Sequence, residues 1–420
     1  MTDMWIKPWT FKEGFMIGAG LLIIGILLQF SVGPVDWTIF AFPFNVAVAL
    51  CLLVMIVWGY ALHKRMYWIR FSMTGSAAVP ALLYTAALTV LMGLTPQVMT
   101  SSVGTADLLG ISRMLSFWPF VLIYLWVTVI VGLVGLKQLA YFIHQRNQLA
   151  SLLSHCGLFI ALVAGTLGNA DMQRLEMTVK LGKPEWRAMD NDGKAVELPL
   201  AVTLHDFSID EYPPKLVIID NTNGKVQPEN HPENMVVENS ATEGMLLDWH
   251  IKVGQRIDYA AQVTAEDSAG VNVRYEEWPS VGATSAVFLT ARHTKTGSVK
   301  EGWVSCGSFA FPYHGLTLDE RYSIVMPERE PKKYASVVSA YTQSGEKLTD
   351  TILVNKPLEV EGWKVYQVSY DENLGRWSDT SVFELVRDPW LPVVYTGIIL
   401  MLVGAVLLFF RNPRKGGIND

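Results

Sequence analysis

Six long apolar runs decide what this chain can fold into. The sequence has 420 residues, of which 50% are hydrophobic, and the runs lie at about residues 15–32, 39–62, 79–99, 115–136, 152–168 and 390–411. An apolar run of about 17–25 residues is long enough to cross a bilayer as an α-helix. The sequence therefore predicts a bundle of six membrane-spanning helices. The first is expected to be an uncleaved anchor, because its apolar core is longer than that of a signal peptide.

The region between the fifth and sixth runs, residues 169–389, has a different pattern. Residues 199–207, 363–370 and 381–386 alternate apolar and polar side chains, as half-buried strands do. Turn-forming Asn, Asp and Gly residues recur between these segments. We therefore expect a large all-β domain, either a sandwich or a partial barrel, that is joined to membrane helices at both ends. Residues 1–168 would hold five spans, and residues 412–420 a cytoplasmic tail.

Positive side chains near the ends of the runs predict the orientation in the membrane. If the N-terminus is cytoplasmic, nearly all of them lie on the cytoplasmic side, and residues 169–389 are extracytoplasmic. The residues concerned are Lys64, Arg65, Arg70, Lys137, Arg146, Arg411, Arg414 and Lys415.

Charge and cysteine content exclude several classes of function. Residues 171–388 carry 22 Lys and Arg against 34 Asp and Glu, so the polar region is acidic and nucleic acid is not an expected partner. The three cysteines, Cys51, Cys156 and Cys306, form no CxxC or CxxCH sequence. The chain is therefore neither a CxxC thiol oxidoreductase nor itself a c-type cytochrome. Cys306 stands alone beside bulky apolar residues and is interpreted as an inert, buried thiol.

The histidines of the membrane runs are the main candidates for chemistry. His63 ends the second run, His144 follows the fourth, and His155 begins the fifth, where Ser151 or Ser154 is expected to cap the helix. Neutral imidazole is a common axial ligand of haem iron, so His63 and His155 are candidate iron ligands at one membrane depth. The alternative is that both are interfacial histidines without a metal. The histidines of the polar region are far apart in sequence and are more typical of surface positions.

Four segments resemble the ResB family, which is also called CcsB and acts in System II cytochrome c biogenesis. They are residues 154–160, 200–207, 354–370 and 386–397, and the resemblance extends from about residue 78 to residue 410. The two additional spans at the N-terminus are similar to the CcsB half of fused CcsBA (NrfI-type) proteins. The tryptophan-rich motif of the CcsA half is absent, because the sequence contains no Trp-Trp pair.

The resemblance implies a specific function. Such a chain would be one subunit of a cytochrome c haem lyase in the bacterial cytoplasmic membrane, active only together with a CcsA-like membrane protein. Haem b would be the transported substrate, apocytochrome c with its CxxCH thiols the acceptor, and thiol-reducing proteins of the pathway further partners. His63 matches in position a haem-ligating histidine of the fused form, and His155 matches a histidine typical of the family.

Two other functions remain open on sequence grounds. The first is a membrane-anchored scaffold that assembles a respiratory complex without contacting haem. The second is a small-molecule transporter, which is disfavoured because the six spans show no inverted repeat.

Overall fold

The computed structural model describes residues 5–97, 110–145, 149–267 and 270–410. It divides into two compact units, the first formed by residues 1–174, 191–193 and 386–420 and the second by residues 175–190 and 194–385. Several predicted features lie outside the described residues. These are the predicted span end at Met99, the basic residues Arg146, Arg411, Arg414 and Lys415, and the tail 412–420.

The first unit is helical, and six of its helices are long and apolar enough to cross a membrane, which confirms the six-span prediction. A seventh, short helix lies between the second and third spans. The helices are α1 (Phe11–Val32), α2 (Phe44–Leu62), α3 (Tyr67–Ser72), α4 (Gly75–Leu94), α5 (Trp118–Gln145), α6 (Leu149–Leu167) and α7 (Leu391–Phe409).

Helix α5 lies at the centre of this unit. About 56% of its most apolar window is buried, against 11% for α1, α2 and α7. It packs against α1, α2, α4 and α6. The helix continues to Gln145, beyond the apolar run that ends at Leu136, because residues 137–145 contain no glycine or proline to interrupt it.

Helices α6 and α7 cross at glycines and approach each other closely. A Cβ atom built on Gly157 would lie 2.5 Å from the carbonyl oxygen of Gly397 and 2.5 Å from the backbone nitrogen of Met401. A Cβ built on Gly397 would lie 2.7 Å from the backbone of Ala161. Small residues at such crossings let helix backbones meet where lipid provides no hydrophobic driving force.

Asp171 joins three helix ends of the first unit. Its carboxylate accepts hydrogen bonds of 2.7 Å from the Phe42 backbone N–H, the Asn45 side chain and the Trp390 indole. Asn45 is fully buried and also donates to the carbonyl of Leu167. Although burial works to raise it, these three hydrogen bonds hold the pKa of Asp171 below its usual value. The start of α2, the end of α6 and the start of α7 are therefore fastened at one point.

The second unit is all β apart from one short 3₁₀ turn, Gly375–Trp377, which confirms the predicted β domain. Its strands, two of which begin or end in the first unit, are β1 (Gln173–Lys180), β2 (Pro184–Met189), β3 (Ala195–Glu211), β4 (Lys215–Asp220), β5 (Met235–Val236), β6 (Glu243–Leu246), β7 (Trp249–Asp267), β8 (Gly270–Glu277), β9 (Thr284–His293), β10 (Val299–Ser305), β11 (Leu316–Thr317), β12 (Tyr322–Val325), β13 (Pro331–Thr342), β14 (Lys347–Leu353), β15 (Leu358–Val360), β16 (Trp363–Tyr370) and β17 (Thr380–Arg387).

The strands form three sheets. Eight strands follow the order β14-β13-β3-β2-β1-β17-β16-β15, and this sheet nearly closes on itself because a short turn with backbone hydrogen bonds between Leu353 and Lys356 joins its two edge strands. A second sheet has the order β10-β9-β7-β6, with β8 paired to β7, and a third the order β11-β12-β4-β5. One core, which includes Phe383 and Val202, fills the eight-stranded sheet, and another, which includes Trp249 and Leu289, lies among the remaining strands.

Candidate functional site

His63 lies directly after the last residue of α2 and is half-buried. Its ring stacks on the ring of Tyr60, one turn earlier, with the centroids 4.8 Å apart. Its Nδ1 is hydrogen-bonded to the carbonyl oxygen of Tyr60. Because a carbonyl can only accept, this bond requires the proton on Nδ1, and in the neutral ring the lone pair is then on Nε2. Lys64 and Arg65 follow in an exposed turn.

His155 occupies the second turn of α6 and is also half-buried. Its Nδ1 donates to the Ser151 carbonyl at 2.8 Å, which again leaves the lone pair on Nε2. The expectation that Ser151 or Ser154 caps the helix is wrong, because α6 begins at Leu149 and both serines lie inside it. The Ser151 hydroxyl instead lies 3.4 Å from His155 Nδ1.

Neighbours on helix α5 show where the two histidines lie along the bundle. A Cβ atom built on Gly59 of α2 would lie 3.8 Å from the Leu133 side chain, and one built on Gly135 would lie 3.7 Å from Cys156 Sγ and 4.0 Å from His155 Cβ of α6. His63 lies four residues after Gly59, about one helical turn further along the chain. Both lie at the same end of the bundle. Among the described residues, no hydrogen bond or ring contact joins the two imidazoles.

An apolar cavity of about 430 Å³ runs along α2, α5, α6 and α7, from Val46 and Trp390 at the opposite end of the bundle to Leu139 and Cys156. Gly132, Gly135, Leu136 and Leu139 line its α5 side, and Cys156 and Phe159 line its α6 side. Cys156 lines this cavity, whereas its neighbour His155 does not.

A second group of functional interest lies in the β domain. Arg376, in the 3₁₀ turn before β17, donates to the carbonyl oxygens of Asp258 at 2.9 Å and Ala283 at 3.1 Å, and lies 3.5 Å from the Glu211 carboxylate. Arg329 pairs with the same carboxylate at 3.2 Å. Burial raises the pKa of Glu211 despite the two arginines. Arg376 thereby links β3 of the eight-stranded sheet to β7 and β9 of the second sheet.

Replacing Arg376 with Ala is expected to destabilise the β domain by about 2–4 kcal/mol, since a mostly buried charge partner and two charged hydrogen bonds are lost together. Urea unfolding of the full chain in detergent, followed by tryptophan fluorescence, measures the change. Arg187→Ala is the matched control, because its ion pair with Glu185 is on the surface, with 57% of the arginine side chain exposed. Equal effects of the two substitutions would show that Arg376 is not a link between sheets.

The remaining candidates from the sequence are Cys306 and the histidines of the polar region. Cys306 is half-buried, and its Sγ lies 3.4 Å from the Gly307 carbonyl and 3.6 Å from the Thr284 hydroxyl. His205 is hydrogen-bonded to Ser339 at 2.8 Å. Among the described residues, no group of three or more His, Cys, Asp or Glu side chains is arranged to hold a metal ion.

Sequence reasoning missed three contributors to these sites: Tyr60, Asp171 and Arg376. The spacing of Tyr60, three residues before His63 in a helix, was a usable signal, since such pairs share a helix face. No comparable signal marked Asp171 or Arg376, whose partners are distant in sequence.

Comparison with models of protein families gives a match in the β domain. Residues 282–378 fit the model of the ResB-like family, and this segment contains Cys306, Arg329 and Arg376 of the β domain. No curated protein matches the chain at a significant level. The segment of the β domain at residues 282–378 is therefore similar to the ResB-like family.

Proposed function

We propose that this protein is a CcsB-like subunit of a System II cytochrome c haem lyase. The similarity of residues 282–378 to the ResB-like family supports a role in cytochrome c biogenesis. With a CcsA-like membrane protein, the chain would move haem b from the cytoplasmic to the outer side of the bacterial cytoplasmic membrane. There the haem is joined to the CxxCH thiols of apocytochrome c, which thiol-reducing proteins of the pathway keep reduced.

The match of residues 282–378 to the ResB-like family carries this proposal. The histidine geometry supports it. His63 and His155 each donate from Nδ1 to a backbone carbonyl, so each has a free Nε2 lone pair suited to iron. Their position at one end of the bundle agrees with the cytoplasmic end in the proposed topology.

Each residue has a distinct part in the proposed mechanism. Nε2 of His63, with His155 as the second candidate, holds the iron of the haem substrate at the cytoplasmic end. Lys64 and Arg65, exposed beside His63, attract the haem propionates. The stack of Tyr60 on His63 and the Nδ1 hydrogen bond orient the imidazole. The β domain faces outward and meets the acceptor apocytochrome.

A visible spectrum of the purified complex tests the proposal. The full chain, purified with its CcsA-like partner, is expected to show a Soret band that is lost in His63→Ala. His144→Ala is the matched control, because His144 makes the same Nδ1 contact, to the Ala140 carbonyl at 2.8 Å, at the end of α5. A colourless wild-type complex would contradict haem handling and favour the scaffold function.

The orientation in the membrane is tested by reporter fusions. Fusions after Lys64, Gln97, Arg146, Gly224 and Arg411 are expected to report inside, outside, inside, outside and inside in turn, since basic residues flank the cytoplasmic ends. Alkaline phosphatase and green fluorescent protein report the two sides. A cytoplasmic signal from the Gly224 fusion would place the β domain on the wrong side for haem attachment.

A further inference from the structure

Two cavities of the β domain adjoin each other. The first, of about 390 Å³, lies between the loop after β10, the start of β9 and the 3₁₀ turn before β17, and the second, of about 400 Å³, lies at the end of β3 and beside β7. Glu211, Arg329 and Arg376 line both cavities. The two cavities therefore meet at these three residues, and together they are here called the two-lobed groove.

The charges of the two-lobed groove nearly balance. Its carboxylates are Asp210, Glu211, Asp258, Glu328 and Glu372, and its cations are Arg256, Arg329, Lys332 and Arg376. Five negative and four positive groups give no strong field of either sign. A polyanion such as nucleic acid, or a strongly basic ligand, is therefore poorly matched. A ligand that needs donors and acceptors in similar number is well matched.

Aromatic side chains stand at the groove with much of their surface in solvent. Phe309 in the first lobe is 51% exposed, and Tyr259 in the second is 45% exposed. The Arg376 guanidinium lies over the Tyr259 ring at 4.6 Å and over the Trp377 ring at 5.2 Å. Exposed aromatics that flank partly buried arginines are typical of surfaces that bind polypeptides.

The buried hydroxyl of Ser285 is a second, independent observation that points to a ligand in the first lobe. Its side chain belongs to the wall of the first lobe and is 1% exposed. Its hydroxyl has no hydrogen-bond partner within the described part of the chain. A buried polar group without a partner is uncommon, and a bound ligand or water in the groove would satisfy it.

We infer that the two-lobed groove binds an extended segment of unfolded polypeptide. A peptide backbone offers N–H and C=O groups in equal number, which suits the balanced charges and the unpartnered hydroxyl. Phe309 and Tyr259 take its apolar side chains. This inference rests on the proposed function, in which the segment is the haem-accepting CxxCH region of apocytochrome c.

Site-specific photocrosslinking tests the inference. The full chain in detergent carries benzoylphenylalanine in place of Phe309 and is mixed with a synthetic peptide that contains one CxxCH sequence. We expect crosslinking that unlabelled peptide competes away. The matched control places the same probe at Trp186, which is 45% exposed in the same domain but lines neither lobe. Equal crosslinking at the two positions, or none at Phe309, would overturn the inference.

Affinity measurements provide a second, independent readout. Phe309→Ala is expected to weaken peptide binding about tenfold, as the loss of one aromatic anchor does, whereas Trp186→Ala is expected to leave it unchanged. A peptide with serines in place of cysteines is expected to bind equally well. Binding that requires the cysteines would instead show that their side chains are recognised and would overturn recognition of the backbone.

Failure of this inference is distinguishable from failure of the proposed function. Peptide binding is expected to be unchanged in His63→Gly, because His63 lies in the helical unit. If the wild-type chain binds no peptide but His63→Ala loses the Soret band, the groove inference is wrong and the haem proposal stands. If peptide binds but the complex is colourless, the inference stands as polypeptide binding, and the haem proposal fails.

Discussion

Replacing His63 with Gly is expected to reduce holocytochrome c formation to background while the protein accumulates normally. His63 is half-buried at the end of α2, and its ring contacts are with Tyr60 of the same helix, so its loss leaves the packing of the bundle intact. Glycine is also well tolerated at the end of a helix. The substitution removes the Nε2 lone pair that the proposal assigns to haem iron. Haem staining of a c-type cytochrome in cells that carry the chain and its partner measures the effect.

Added imidazole is expected to restore part of the activity of His63→Gly. The small molecule fits the space that the ring leaves and returns the ligand without its covalent tether. His144→Gly serves as the control and is expected to mature cytochrome c normally with or without imidazole. A purely structural role of His63 predicts a different result, namely poor accumulation and no response to imidazole. If His63→Gly matures cytochrome c at the wild-type rate, the iron ligand is not His63, and His155 becomes the candidate.

Replacing Gly157 with Leu is expected to separate α6 from α7 and to prevent stable accumulation of the protein. A Cβ at this position meets backbone atoms of Gly397 and Met401 at 2.5 Å, and backbone atoms cannot rotate aside as side chains do. The expected cost exceeds about 3 kcal/mol, the upper end for ordinary overpacking. Helix α6 leads into the β domain and α7 follows it, so the pair anchors both ends of that domain. Immunoblots of the membrane fraction and thermal unfolding in detergent measure the loss.

Gly165→Leu is the matched control for this prediction. Gly165 lies in the same helix, but a Cβ built on it meets nothing within 4 Å. The control is therefore expected to accumulate at the wild-type level, and glycine replacement in a helix even favours the helical state. Equal losses in the two variants would show that α6 tolerates no added bulk anywhere, and the glycine crossing would not be the cause.

The sequence by itself determined the two structural classes of this protein. The six spans follow from the length of the apolar runs, and the β domain follows from alternation with a period of two residues. Both signals are local, since each depends only on residues adjacent along the chain. The same local patterns supported the resemblance to the ResB family, which the match at residues 282–378 agrees with. His63 and His155 were also identified as candidates because they end or begin apolar runs.

Only the tertiary structure decided how these pieces meet. Asp171 joins Asn45 and Trp390, which lie 126 and 219 positions away in sequence. Arg376 reaches Glu211 across 165 positions. No local pattern encodes such pairs, because the residues around a carboxylate or guanidinium in the sequence do not show whether that group is paired or solvated. The two-lobed groove and the free Nε2 atoms likewise depend on where backbone carbonyls and neighbouring strands lie in space, and only packing sets those positions.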